Sequence, residues 1–137
     1  SSDCNLTFTS GDKAYEIEVE VAVEEGSKAG LLLFYNESRY IGISLSNGSI
    51  WHEVNGQSKE VDNSGIVNSI HLKIKNDHHT VSMFYSNDGQ NWKKLERSID
   101  VAHFNLNAYG EFTCLRQGIF ASGEGIVRFQ NFIYSRL

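Results

Sequence analysis

Residues Arg39–Asn55, RYIGISLSNGSIWHEVN, decide how this chain folds. Asn47-Gly48 lies between two alternating apolar runs. An Asn-Gly pair in that setting is the strongest local hairpin signal, because both turn positions require positive φ. With that turn, Ser46 stands opposite Ser49, and the pairing runs outward. Leu45 meets Ile50, Ile43 meets His52 and Ile41 meets Val54 on one face; Ser44 meets Trp51, Gly42 meets Glu53 and Tyr40 meets Asn55 on the other. Successive strand residues point to opposite faces, so the first face is aliphatic and reads as core, with His52 as a satisfied buried histidine. The second carries two aromatics, a carboxylate, an amide and a glycine gap. A sugar ring can stack on such a floor while its hydroxyls are held. The reverse arrangement, aromatics inward and aliphatics outward, makes the poorer core.

Upstream, Tyr15, Ile17, Val19, Val21 and Val23 alternate with Glu16, Glu18, Glu20 and Glu24. That period of two is a half-buried strand with a solvated acidic face. Gly26 to Lys28 turns the chain, and AGLLLFYN (29–36) is apolar on both faces, as for a strand inside a sheet. If Glu37-Ser38 is the next tight turn, Tyr35 sits opposite Tyr40, Leu33 beside Gly42 and Leu31 beside Ser44. The candidate binding residues are then Tyr35, Tyr40, Trp51, Glu53 and Asn55, with Gly42 shaping the groove.

Downstream, Asn55-Gly56 marks a second hairpin ending near Lys59 to Val61, followed by a loop at 62–65. Ile70, Leu72 and Ile74 alternate with His71, Lys73 and Lys75, and a turn at 76–79 leads into Val81, Met83 and Tyr85. Residues 96–110 read as a long connection, and 115–137 as two strands around Ser122-Gly123-Glu124-Gly125. No helical periodicity exceeds about two turns. Many strands at spacings of roughly 8–12 residues predict an all-β sandwich or barrel. No linker divides the chain, so residues 1–137 read as one domain.

With 137 residues, 40% of them hydrophobic, the chain is large enough for a real core. A net charge of −5, with no basic run longer than Lys93-Lys94, argues against a nucleic-acid partner. No apolar stretch approaches the ~20 residues of a membrane-spanning helix. The two cysteines, Cys4 and Cys114, are too few and too far apart for a zinc site. They read either as buried thiols or as one disulfide, which would stabilise by roughly 4–5 kcal/mol in the chain-entropy model. Proline is absent and glycine occurs 12 times, which suits continuous strands joined by glycine turns.

Nothing here reads as a catalytic centre. There is no G-x-S-x-G elbow, HExxH or P-loop. His78 and His79 are adjacent, and neighbours on an extended chain point apart. Spacing alone selects no acid–base pair of carboxylates for glycoside hydrolysis. The sequons at Asn5, Asn36 and Asn47 read as turn chemistry. SNDGQNW (86–92) is similar to the Asp-box turn of sialidase-type propellers but one residue shorter. Its local reading is a turn whose Asp side chain bonds its own amides.

Ala29-Gly30-Leu31 before a Tyr strand, the SNDGQNW turn, and above all the ending LRQGIFASGEGIVRFQNFIYSRL (115–137) resemble the concanavalin A-like module at the C-terminus of family 43 glycoside hydrolases, β-xylosidases and α-L-arabinofuranosidases. The likeness runs from about Tyr15 to Tyr134. It implies an all-β, two-sheet antiparallel sandwich, a concanavalin A-like jelly roll, that binds xylan or arabinoxylan without catalysis, beside a separate catalytic domain. The alternative is a structural accessory domain that stabilises its neighbour without binding sugar. It also implies secretion, or a cell-surface or periplasmic location, in bacteria, which suits oxidation of Cys4 and Cys114. No cofactor is expected. Many β-sandwich sugar modules hold a structural calcium, though no loop here has a diagnostic calcium spacing.

Overall fold

The computed structural model describes residues 4–9, 14–36, 39–54, 57–63, 68–77, 80–95, 99–100, 116–123 and 125–136. In chain order the strands are β1 (Cys4–Thr9), β2 (Ala14–Val23), β3 (Lys28–Asn36), β4 (Arg39–Ser46), β5 (Ser49–Val54), β6 (Gln57–Asp62), β7 (Ser69–Asp77), β8 (Thr80–Ser86), β9 (Lys93–Lys94), β10 (Ile99–Asp100), β11 (Arg116–Ser122) and β12 (Val127–Arg136). They form two antiparallel sheets, ordered β1-β11-β3-β4-β5-β6 and β10-β8-β7-β2-β12, with β9 beside β8. No helix occurs among the described residues. This is a two-sheet antiparallel β-sandwich.

The Asn47-Gly48 turn sets the register of the first sheet. Their φ angles are 53° and 72°, a type I′ geometry whose twist matches that of the flanking strands. Every expected pair from Ser46–Ser49 to Ile41–Val54 forms. Ile41, Ile43, Leu45 and Ile50 are buried. They pack against Ile17, Val19 and Val21 of β2, Ile70, Leu72 and Ile74 of β7, and Val81 and Met83 of β8. Burying each such side chain contributes about 1.5–3 kcal/mol.

One register differs from expectation. Asn36 pairs with Arg39 as a tight turn requires, but Phe34, not Tyr35, then stands opposite Tyr40. A one-residue bulge at Tyr35 shifts the pairing, so Leu32 lies beside Gly42 and Gly30 beside Ser44. A one-residue slip exchanges the faces of a strand. Leu31 and Leu33 therefore belong to the core, at 0% exposure, rather than to the opposite face. Burial of two leucines against Ile41 and Ile43 outweighs an uninterrupted ladder.

The two terminal strands do not pair with each other. β11 inserts between β1 and β3, whereas β12 crosses to the other sheet and pairs with β2. The Ser122–Gly125 segment makes that crossing. Gly123 has φ +98°, and a Cβ there would lie 2.5 Å from the Gly26 carbonyl oxygen. The Gly125 N–H donates to Ser27 Oγ at 2.7 Å, and the Ile126 N–H donates to Glu24 Oε1 at 2.9 Å. The β4–β5 turn joins the same corner, since the Gly26 N–H donates to Asn47 Oδ1 and Ser46 Oγ donates to the Ser27 carbonyl. Of the 96–110 connection, the described part is β10, which pairs with β8. His78, His79, Gly56 and Cys114, and with Cys114 the expected Cys4–Cys114 bridge, lie outside the described residues.

Candidate functional site

The outer face of the β3–β6 sheet is built around one carboxylate. Glu53 on β5 is only 6% exposed although it faces away from the core. Its Oε2 accepts from Lys28 Nζ at 3.1 Å and from Ser44 Oγ at 2.9 Å; its Oε1 accepts from Ser58 Oγ at 2.5 Å. Lys28 Nζ also donates to Ser58 Oγ at 3.0 Å. The four side chains come one each from β3, β4, β5 and β6, so the network stitches the sheet across its width. Charge-assisted bonds of this kind are about twice as strong as neutral ones.

Trp51 and Tyr40 flank this network. Both are half-buried. The Trp51 indole N–H donates to the Ser46 carbonyl at 3.1 Å, fixing the ring to its own hairpin. Lys28 Nζ stands 5.2 Å from the Trp51 ring centroid, within cation–π range. Between the aromatics, Gly42 and Ser44 are buried. The gap at Gly42 is filled, because a Cβ there would lie 2.4 Å from Leu32 Cδ2. Tyr35 lies at the β3 bulge, off the Tyr40 pair. Asn55 lies outside the described residues.

The profile of the beta xylosidase C-terminal concanavalin A-like domain family matches residues 11–135. The chain belongs to this family. Solved structures share the fold. A mutant of the GH43 protein BlXynB from Bacillus licheniformis superposes with a TM-score of 0.76 at 20% identity, over 93% of this chain and 28% of that one. The xylan beta-1,4-xylosidase from Bacillus halodurans C-125 gives 0.72 at 18% identity, over 93% and 28%. The Bacteroides ovatus xyloglucan PUL GH43B protein gives 0.72 at 16% identity, over 96% and 29%. The chain thus spans less than a third of the length of these relatives. No curated protein matches it.

In this β-xylosidase C-terminal domain, β5 also borders a second feature, a cleft of about 610 Å³ between the β5–β6 hairpin and the β8–β9 end of the other sheet. His52 and Val54 line it, with Tyr85 and Leu95 opposite. His52 does point inward, but it is half-buried on a cleft wall rather than sealed in the core. Tyr85 Oη donates to Asp62 Oδ2 at 2.5 Å. Burial first, then the Asp62 hydrogen bond and charge, push the Tyr85 phenol far above its ordinary value.

The SNDGQNW turn is locally self-satisfied. Ser86 Oγ accepts from the Gly89 N–H and donates to Asp88 Oδ1. Asp88 Oδ1 accepts the N–H groups of Gln90 and Asn91 at 2.8 Å each. These bonds, that of Asn91 first, hold the Asp88 carboxyl well below the usual carboxylate range. Trp92 packs on the outer face of the second sheet, its ring centroid 4.0 Å from Lys73 Nζ and edge-on to His71. Among the described residues, no three His, Cys, Asp or Glu side chains gather as a metal site.

The Glu53 network is a feature that the sequence reading missed. Lys28 reads as a turn residue until the β3 register places it beside β4 and opposite Ser46.

Proposed function

We propose that this domain holds a family 43 glycoside hydrolase on a plant cell-wall polysaccharide, xylan or arabinoxylan, and performs no chemistry itself. Residues 1–137 act as one unit beside a catalytic domain of the same polypeptide, outside the cytoplasm. The observation that carries the proposal is the pair Tyr40 and Trp51, half-exposed on one face of adjacent strands, with the Trp51 ring clamped by Ser46 and Lys28. Trp51 stands opposite Ser44, so the two aromatics are offset by about 14 Å along the strand direction. That suits a short oligosaccharide rather than a single ring. Preformed aromatic floors bind without a large ordering cost. In this proposal Tyr35 and Asn55 extend the face, and Glu53 acts chiefly by setting Lys28 and the floor.

Calorimetry or affinity electrophoresis against xylan, mixed-linkage glucan and arabinan tests the proposal. Xylan should bind, and Trp51→Ala should weaken it at least about tenfold while the fold persists. Binding to none of the three overturns it.

A second role, stabilising the catalytic neighbour, is supported by β12. Phe132, Ile133 and Tyr134 are 37%, 46% and 40% exposed in one consecutive run on an edge strand. On that role Ile133→Asp lowers the melting temperature of the intact enzyme but not that of the isolated domain.

A further inference from the structure

The cleft beside β6 belongs to no part of the aromatic face. β5 separates the two, with Trp51 and Glu53 on one side and His52 and Val54 on the other. Its floor is apolar, formed by Val54 with Tyr85 and Leu95, which are each 8% exposed. Its walls carry two lysines, Lys59 and Lys94, against one carboxylate, Glu60. Lys59 pairs with His52 across the β5–β6 ladder and so shares the inward face. Lys94 borders the cleft from the opposite sheet.

The nearby carboxylates do not cancel these lysines. Asp62 is engaged by Tyr85 Oη and lies 4.0 Å from Lys93 Nζ. Glu60 borders the cleft, but its pairing with Trp51 places it at an outward position of β6, so the two lysines outnumber it there. Among the described residues neither Lys59 nor Lys94 has an ion-pair partner. In a chain of net charge −5 this is a local cationic site over an apolar floor.

We propose that this cleft binds an acidic sugar, a pyranose carrying a carboxylate. The C–H face of the ring lies on Val54, Leu95 and the edge of Tyr85, and the carboxylate meets Lys59. The volume falls within the ~300–1,000 Å³ of small-ligand pockets. A carboxylate seated over the apolar floor between the two sheets is screened less by solvent than one on an open surface, which strengthens its attraction to Lys59. The inference stands apart from the aromatic-face proposal, since Trp51→Ala should leave it intact.

Amide chemical-shift titration of the 15N-labelled domain tests it, with glucuronate, glucose and acetate as probes. Glucose replaces the carboxylate of glucuronate by a hydroxymethyl group, and acetate supplies charge without a ring. Glucuronate should move the amide signals of His52, Val54 and Leu95, at least about tenfold more tightly than either of the other two. Lys59→Ala should cost about tenfold for glucuronate, Lys59→Arg should restore much of it, and added salt should weaken it. Both lysines are exposed, so the variants should fold, which a melting curve confirms. Comparing glucuronoxylan with unsubstituted xylan then tells a uronate branch on a polymer from the free sugar. Equal shifts from glucose or acetate, no shift at the cleft, or an unchanged Lys59→Ala titration would each overturn the proposal.

Discussion

The ammonium of Lys28 and the carboxylate of Glu53 meet at 3.1 Å across the intervening strand β4. The contact is partly buried, with side-chain exposures of 23% and 8%. Removing Glu53 leaves Lys28 with Ser58 alone and the fully buried Ser44 hydroxyl without its acceptor. Glu53→Ala should therefore destabilise the domain by about 1–3 kcal/mol, read as a fall in the urea midpoint. Glu53→Gln keeps an acceptor for Ser44 and should cost less. Because the carboxylate holds the floor rather than projecting from it, Glu53→Gln should change polysaccharide affinity much less than Trp51→Ala. Equal losses would show that Glu53 contacts the sugar directly.

The β11–β12 crossing predicts a second outcome. Gly123 combines a left-handed backbone with a close approach to the Gly26 carbonyl. Gly123→Ala has to overcome both, and backbone strain of this kind alone costs about 1–3 kcal/mol. The loss should appear in thermal melts. Gly26→Ala is an informative control. It shares a positive φ of 86°, but beyond its chain neighbours no atom lies within 4 Å of where a Cβ would stand, so it should cost less. If the two variants melt alike, packing at the corner is unimportant.

Local signals made the β4–β5 hairpin legible, because turn chemistry and alternation agree there and no distant contact overrides them. β2 and β7 were legible for the same reason: their alternation is the burial pattern itself. The Tyr35 bulge was not, because it is imposed by what Leu31 and Leu33 face across the sandwich and not by the Glu37-Ser38 turn. The G-x-G corner was visible as a motif in 122–125, but its function as a crossing between sheets depends on Ser27 and Glu24, about a hundred positions earlier. The cleft was hidden by reading His52 as core. Its one sequence signal was Lys59, an inward-facing lysine on an edge strand, where inward charges guard against edge pairing.

The Asp88 turn predicts an acid-side effect. Its carboxyl has a folded-state value below the ordinary one. Such a group adds stability that is fully present above the unfolded value of about 3.9 and is lost as the pH falls below that towards the folded value. Asp88→Ala should thus lower the melting temperature at neutral pH, and the gap from wild type should narrow as the pH drops below about 4. A gap constant with pH would mean that the charge of Asp88 does not matter to the turn.

Tyr85 predicts the opposite limb. Its phenol is raised by burial and by the Asp62 carboxylate, so the neutral form is favoured in the folded state. That contribution is complete below the unfolded value of about 10 and fades as the pH rises through the folded value. Ultraviolet titration should therefore show one phenol that does not ionise with the exposed tyrosines but only at higher pH, or when the domain unfolds. Tyr85→Phe should remove that phenol from the titration. It should also destabilise the domain by about 1.5–3 kcal/mol, the range for a hydrogen bond to a charged group, because Asp62 loses its 2.5 Å donor. The released carboxylate would then stand beside the cleft and oppose an anionic ligand, so Tyr85→Phe should also weaken glucuronate. A Tyr85→Phe domain that keeps wild-type stability would place the Tyr85–Asp62 bond outside the forces that hold β6 against β8.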